Sequence, residues 1–403
     1  MAPAWRLRLI YFLYYGAVGT TLPYFAPYLR DLGFTGSAIG TVQMLGPLVA
    51  PAAALGWAAL ADRTGAPERT LRFATLVSLG AAVFLPVART PLAVGAVVLF
   101  QSLGDRAVVP LLDSLTMEHV RRHPGQGYAR IRLGGSLGFA VLALLCGGLL
   151  AWRGDRPADP LVPWLILSLV AGYALAVRGL PHAEPAGGER PGWLAVRTLL
   201  GDRRLLLLLA GGAIHWAACA PFHLFFGLLV RDRGLPPAVT GLGMGVGVAA
   251  EMAVLLLFPR LHGRWSLRAL FAAAFAGSAL RWLALSRAES AAAVISLQLL
   301  HGLTFGLFWS CSVEAMSRMV PAPLRATGQA LFTAVVFGAG NAVGYQLSGL
   351  ALDHYGRTPP LFAWAGAIEL LPLLGAAFFA VRPGVPATSR ASGSPGDSPP
   401  SGR

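Results

Sequence analysis

With 403 residues, 55% of them hydrophobic and only 12% charged, and a mean hydropathy of +0.62, this chain is too apolar for a soluble domain. A formal net charge of +14 would suit a nucleic-acid binder, but every basic residue is arginine, lysine being absent, and the placement of those arginines points elsewhere. No nucleic acid is expected as a partner; what remains is a polytopic membrane protein.

An α-helix needs about 20 apolar residues to cross the hydrocarbon core. Twelve such runs follow one another at about 8–29, 39–61, 71–88, 92–117, 129–151, 161–178, 205–230, 236–258, 268–286, 289–316, 326–350 and 360–381. The first carries Tyr11, Phe12, Tyr14 and Tyr15 and is followed at once by more spans, so it reads as an uncleaved helix rather than a signal peptide. The longest polar interruption, 179–204, contains Pro181, Pro185, Gly187, Gly188 and Pro191 and reads as a linker. It divides the chain into a bundle over 1–178 and another over 205–382, six spans each. The tail 383–403, rich in Ser, Pro and Gly, has too little apolar surface to order itself.

If the N-terminus is cytoplasmic, 22 of the arginines outside the spans fall on the cytoplasmic side. Eight fall outside: Arg30, Arg89, Arg153, Arg156, Arg231, Arg233, Arg287 and Arg357. That is the positive-inside rule, and it predicts a multi-pass protein of the inner membrane with both termini cytoplasmic.

Seven charges lie inside the spans: Asp105, Arg106, Asp113, Glu251, Arg281, Glu314 and Glu369. Each costs roughly 3 kcal/mol at membrane depth, which is tolerable where the charges line a shared polar cavity. Such a cavity implies transport. Glu314 has Arg318 four residues on, the spacing of a local pair on one helix face. Asp105 has Gln101 one turn earlier, a polar face suited either to substrate or to holding helices together. Arg106 points about 100° away and pairs elsewhere, while Glu369 has no evident partner. Trp309, Asn341 and Gln346 either line the cavity or bridge helices.

Cys146, Cys219 and Cys311 lie in separate spans with no metal or disulfide spacing. His215 and His223 share a helix face, yet two histidines without a third ligand do not make a metal site. Gly241-Leu-Gly243-Met-Gly245-Val-Gly247 lies in a span with no preceding strand, so it is packing or hinge glycine rather than a dinucleotide loop. A chain without lysine has no phosphate-binding loop of the usual type, so ATP is not the direct driver. Neither cofactor nor metal is expected, and no nucleophile with its base suggests an enzyme.

The stretch Gly56-Trp-Ala-Ala-Leu-Ala-Asp62-Arg63-Thr-Gly65 resembles the cytoplasmic loop signature of the major facilitator superfamily, with Ala58 at the usual glycine and Ala66-Pro67-Glu68-Arg69 replacing the usual basic pair. A charge-rich tight turn joining two helices is the alternative. Further runs resemble the phenylpropionate-permease branch, related to the lactose and nucleoside proton symporters. They are Tyr11-Phe-Leu-Tyr-Tyr15 with Leu22-Pro-Tyr24, Pro110-Leu-Leu-Asp113, Tyr128 to Phe139, Leu280-Arg281-Trp282, Gln298 to Gly306, and Pro323 to Gln329. The resemblance implies two pseudo-symmetric six-helix bundles, an all-α integral membrane fold, working as a monomer on a small organic solute. The expected function is proton-coupled uptake of an aromatic acid, nucleoside or sugar-like substrate. Efflux, or a non-transporting assembly or sensor role, are the alternatives.

Depth along the helices selects the site. Glu251, Arg281 and His301 lie within a few residues of mid-span on three consecutive helices. They resemble the Glu, Arg and His set of the lactose permease, which implies proton coupling; a static ion network is the alternative. A carboxylate beside a moving arginine gains and loses its proton as that arginine leaves and returns. Asp113 and Arg132 flank the loop between spans four and five at similar depth and are expected to face each other as a gating pair. Asp62 and Arg63 join them as loop gating residues, with Gln101, Asp105, Trp309 and Asn341 as substrate-cavity candidates.

Overall fold

The computed structural model describes residues 4–123, 125–180, 197, 199–321 and 324–376. Most of the linker and all of the tail lie outside the described residues. The principal helices of the first half are α1 (Ala4–Asp31), α2 (Gly36–Thr64), α3 (Pro67–Ala82), α4 (Pro91–Arg122), α5 (Tyr128–Trp152) and α6 (Leu161–Arg178). Those of the second are α7 (Arg203–Asp232), α8 (Pro237–Arg264), α9 (Leu267–Leu285), α10 (Ala291–Met319), α11 (Thr327–Tyr355) and α12 (Pro359–Gly375). Among the described residues no strand occurs. Nine of these helices are long and apolar enough to cross a membrane. The other three are α3 and α12, which are short, and α1, whose five tyrosines lower its hydropathy.

Local chemistry sets the boundaries. Thr35, Thr90, Ser266 and Ser290 each accept a backbone N–H from the first turn of the helix they precede, a cap worth about 1 kcal/mol. Gly65 ends α2 in the left-handed region at φ +61°, and Pro67 opens α3, so the signature loop is a turn of two residues.

Prolines break three of the spans. Pro110 removes a donor and crowds the carbonyl of Arg106, and α4 breaks at Arg106–Ala107. Pro221 does the same in α7, which breaks at Cys219, and Pro372 in α12, which breaks at Glu369. Two further helices widen into π-turns, α10 at Gly302–Leu307 and α11 at Thr333–Gly340.

Glycines set how the helices pack, and they do so alike in both halves. In the first, Gly134 and Gly138 of α5 lie against the backbone of Arg8 and Phe12 in α1. In the second, Gly340 and Gly344 of α11 lie against Ala213 and Ala217 of α7. Four-residue spacing recurs on both sides of both contacts, so the faint likeness between the fifth and eleventh spans has a packing cause.

Candidate functional site

The two halves meet at the end of the bundle away from the N-terminus. Arg231 of α7 donates to Asp31 of α1 at 2.8 Å and to Asp155, in the α5–α6 loop, at 3.0 Å. Asp353 of α11 accepts the N–H groups of Gly36 and Ser37 at the start of α2. Beside it Gly36 and Gly349 are in backbone contact. On the other side of the bundle Tyr24, which also bonds the carbonyl of Ala143 in its own half at 2.8 Å, donates to the carbonyl of Pro237 at 3.4 Å, and Gly147 packs on Pro237.

Below this seal a cavity of about 1210 Å³ lies between α1, α2, α4, α6 and α11, reaching Leu55 and Thr327 toward the terminal end. Its wall is mainly apolar and aromatic, with Gln101, Asp105, Arg106 and Asn341 among its polar members. Of the expected cavity residues, Gln101, Asp105 and Asn341 are there. Trp309 is not: its ring packs against Phe332 and Phe337. Gln346 bridges helices, accepting from Thr41 of α2. The Asp105 carboxylate, although it borders the cavity, is held by Ser78 of α3, by Tyr173 of α6 at 2.5 Å and by Gln101 at 3.4 Å.

Glu251, Arg281 and His301 come together outside that cavity wall. Gly302 and Gly306 let α10 approach the backbone of Ala250 and Glu251 in α8, while Gly247 leaves room for the His301 ring. That close contact puts His301 Nε2 3.7 Å from Glu251 Oε2. Arg281 approaches His301 Nδ1 at 3.0 Å and donates to Gln298 Oε1 at 2.5 Å. A guanidinium only donates, so Nδ1 is the unprotonated nitrogen and the ring's hydrogen lies on Nε2, toward Glu251. Arg281 is fully buried, its charge centre 4.2 Å above the Phe222 ring and 4.4 Å above Trp282. The π-turn of α10 begins immediately after His301, and such turns recur at functional sites.

Asp113 and Arg132 belong to one cluster but do not pair directly. Asp113 accepts from Tyr11 at 2.5 Å and from Tyr128 at 3.0 Å. Arg132 donates to Tyr15 at 2.5 Å and lies 4.2 Å over its ring. The α1 tyrosines stand between the two charges, which helix depth alone does not reveal. Asp62 and Arg63 are exposed at the end of α2, ahead of Gly65.

Three further arrangements correct or extend the sequence reading. Glu369, expected without a partner, is fully buried against His215, whose Nδ1 is 2.8 and 2.9 Å from its two oxygens. His215 Nε2 faces the carbonyl of Thr304 at 3.0 Å and so carries hydrogen, leaving Nδ1 and the carboxylate to share the remaining proton. Cys219 approaches the same ring, its Sγ 3.9 Å from Nε2, so both ring nitrogens are engaged within the core. Arg106, expected to pair elsewhere, lines the cavity, and its Nε is buried without a hydrogen-bond partner. Glu314 and Arg318 do form the local pair, at 2.6 Å, with His262 beside them. A proline two to four residues after Arg106, Cys219 and Glu369 was the available signal for the first two arrangements.

A sealed end, an internal cavity and buried charges linking several helices define a membrane carrier. The family model described as the MFS_1 like family matches residues 4–362, and the chain belongs to this family of membrane transporters, which are not enzymes. A maltose permease of Geobacillus stearothermophilus is 32% identical over 354 residues, covering 86% of this chain and 87% of the relative. An Escherichia coli (strain K12) protein named "Probable 3-phenylpropionic acid transporter" is 26% identical, covering 91% and 95%. The crystal structure of the nucleoside transporter NupG superimposes with a TM-score of 0.83 at 16% identity, covering 94% of this chain and 99% of that one.

Proposed function

We propose that the protein imports a small organic solute together with protons, by alternating access between its two six-helix halves. One observation carries the reading: Glu251, His301 and Arg281 form a continuous string across α8, α9 and α10, beside a π-turn. Arg281 holds His301 neutral and aims its Nε2–H at Glu251. Ionised, Glu251 attracts that hydrogen. Protonated, it attracts that hydrogen only weakly, so its proton sets how firmly α8 holds α10 beside the π-turn.

The arginine bias supports placing the termini in the cytoplasm, and the seal lies at the opposite end, so this conformation opens inward. Relatives named for maltose and for 3-phenylpropionic acid, and a fold shared with a nucleoside transporter, support a substrate among sugars, nucleosides or aromatic acids. Protons, the solute and the bilayer are the only partners in this reading, and a monomer suffices.

The test is uptake into proteoliposomes under an imposed pH gradient. Glu251→Gln should lose accumulation while keeping counterflow, because exchange across an equilibrated membrane needs no proton cycle. Wild-type accumulation that ignores a protonophore would overturn proton coupling.

A further inference from the structure

Among the described residues Arg106 is the one cation in the wall of the large cavity. It stands where Pro110 breaks α4, its Nε is buried with no acceptor, and among the described residues no carboxylate pairs with it. Its neighbour Asp105 has its oxygens committed to Ser78, Tyr173 and Gln101. Space has been kept for the guanidinium: a Cβ at Gly46 of α2 would lie 3.1 Å from one terminal nitrogen of Arg106 and 3.0 Å from Ser102 Oγ. Around it the cavity wall offers Tyr14, Phe25, Phe337 and Tyr345.

A half-buried guanidinium with no carboxylate hydrogen-bonded to it has donors to spare, and a planar carboxylate meets them with two parallel, charge-assisted hydrogen bonds. Apart from Asp105, whose oxygens are already committed, the polar groups of the wall, among them Gln101, Asn341 and the tyrosines, are neutral and serve orientation. A sugar would bring Arg106 no charge-assisted partner and would offer the aromatic wall less apolar surface.

We propose that the solute is a small carboxylate with an apolar or aromatic body, and that Arg106 receives its carboxylate. This rests on the transport reading for why the cavity takes a solute, yet it concerns binding alone. It therefore separates the three classes that the transport reading leaves together.

The experiment is calorimetric titration of the purified full-length protein in detergent with 3-phenylpropionate, 3-phenylpropan-1-ol and maltose. The carboxylate should bind at least tenfold more tightly than the alcohol, which has the same body without the charge, and maltose should not compete. Arg106→Gln should weaken carboxylate binding at least tenfold and leave the alcohol unchanged. Arg106→Lys should recover part of the loss, since it restores the charge without the planar fork. Gly46→Leu keeps the arginine but fills its space, and should weaken the carboxylate as well; circular dichroism confirms that each variant is folded. Equal binding of 3-phenylpropionate by wild type and Arg106→Gln, no binding of it at all, or competition by maltose would each overturn the proposal. Tight, Arg106-dependent binding with no flux in vesicles would instead sink the transport reading and leave this one standing.

Discussion

Arg231→Gln should shift the protein toward opening at its sealed end. Arg231 joins the halves by pairs of 2.8 Å to Asp31 and 3.0 Å to Asp155, with side-chain exposures of 34%, 16% and 30% respectively. These are partly buried pairs, above the near-zero worth of fully exposed ones but screened from one side, so about 1 kcal/mol each is a fair weight. Together they contribute about 2 kcal/mol, and only in the conformation where the seal is closed. At about 1.4 kcal/mol per tenfold, their loss should move the equilibrium between conformations by about 30-fold. Arg231 is the better residue to remove, because Asp31 also caps the N–H of Ala158 and its loss would disturb the loop. Spin labels on cysteines introduced at the exposed positions Leu92 and Glu289, one in each half, would report the separation by pulsed electron resonance. The native cysteines are buried and should escape labelling. An unchanged distance distribution in folded Arg231→Gln would refute the assignment of these pairs to the seal.

In the first half, Tyr11→Phe should weaken function about as much as Asp113→Asn, costing about 1–2 kcal/mol in thermal stability or transport. Exchanging Asp113 with Arg132 should rescue neither, since tyrosines separate them; recovery in the exchanged protein would show a direct pair. Removing only His215 strands Glu369 in the core, and His215→Ala should cost about 3 kcal/mol or more, read as loss of folded yield, with Glu369→Ala in the same chain recovering part of it. At the sealed end Asp159 is buried, which by itself raises its pKa, yet the Arg153 side chain and the Leu161 N–H bring it below the usual carboxylate value. A depressed pKa stabilises the fold above about pH 4 and loses that contribution as pH falls through the folded value. The gap in melting temperature between wild type and Arg153→Gln should therefore be present at pH 7 and shrink below pH 4, and a gap independent of pH would argue against the pair.

Apolar runs and the arginine bias made the helices legible from the residues alone, while the family rested on the resemblance of runs such as Gly56 to Gly65 and Tyr128 to Phe139. Glu251, Arg281 and His301 were also within reach, because rise per residue fixes depth and three helices of similar tilt bring similar depths together. Depth says nothing of what stands between two residues, and so Tyr11 and Tyr15 were invisible as the groups separating Asp113 from Arg132. Rotation about a helix axis fails as a guide where the helix is interrupted. Regular periodicity turned Arg106 away toward another partner, whereas Pro110 breaks α4 at that residue and it faces the cavity. Glu369 needed the adjacency of α12 with α7, a property of the whole fold that no local spacing encodes. The surface pair of Glu314 and Arg318 was readable because it is made within one turn.

The sealed end owes much of its closeness to glycine. Gly36 on Gly349, Gly40 on the Tyr345 carbonyl, Gly227 on Pro23 and Gly241 on Ala143 all press backbone against backbone from opposite halves. A seam of leucines would bury large side chains, and each one exposed on parting would cost up to about 3 kcal/mol. A glycine seam has almost no such surface to uncover. The two halves thus touch over a broad area yet separate without a steep hydrophobic penalty, so a few ion pairs and one bound solute can decide which way the protein faces.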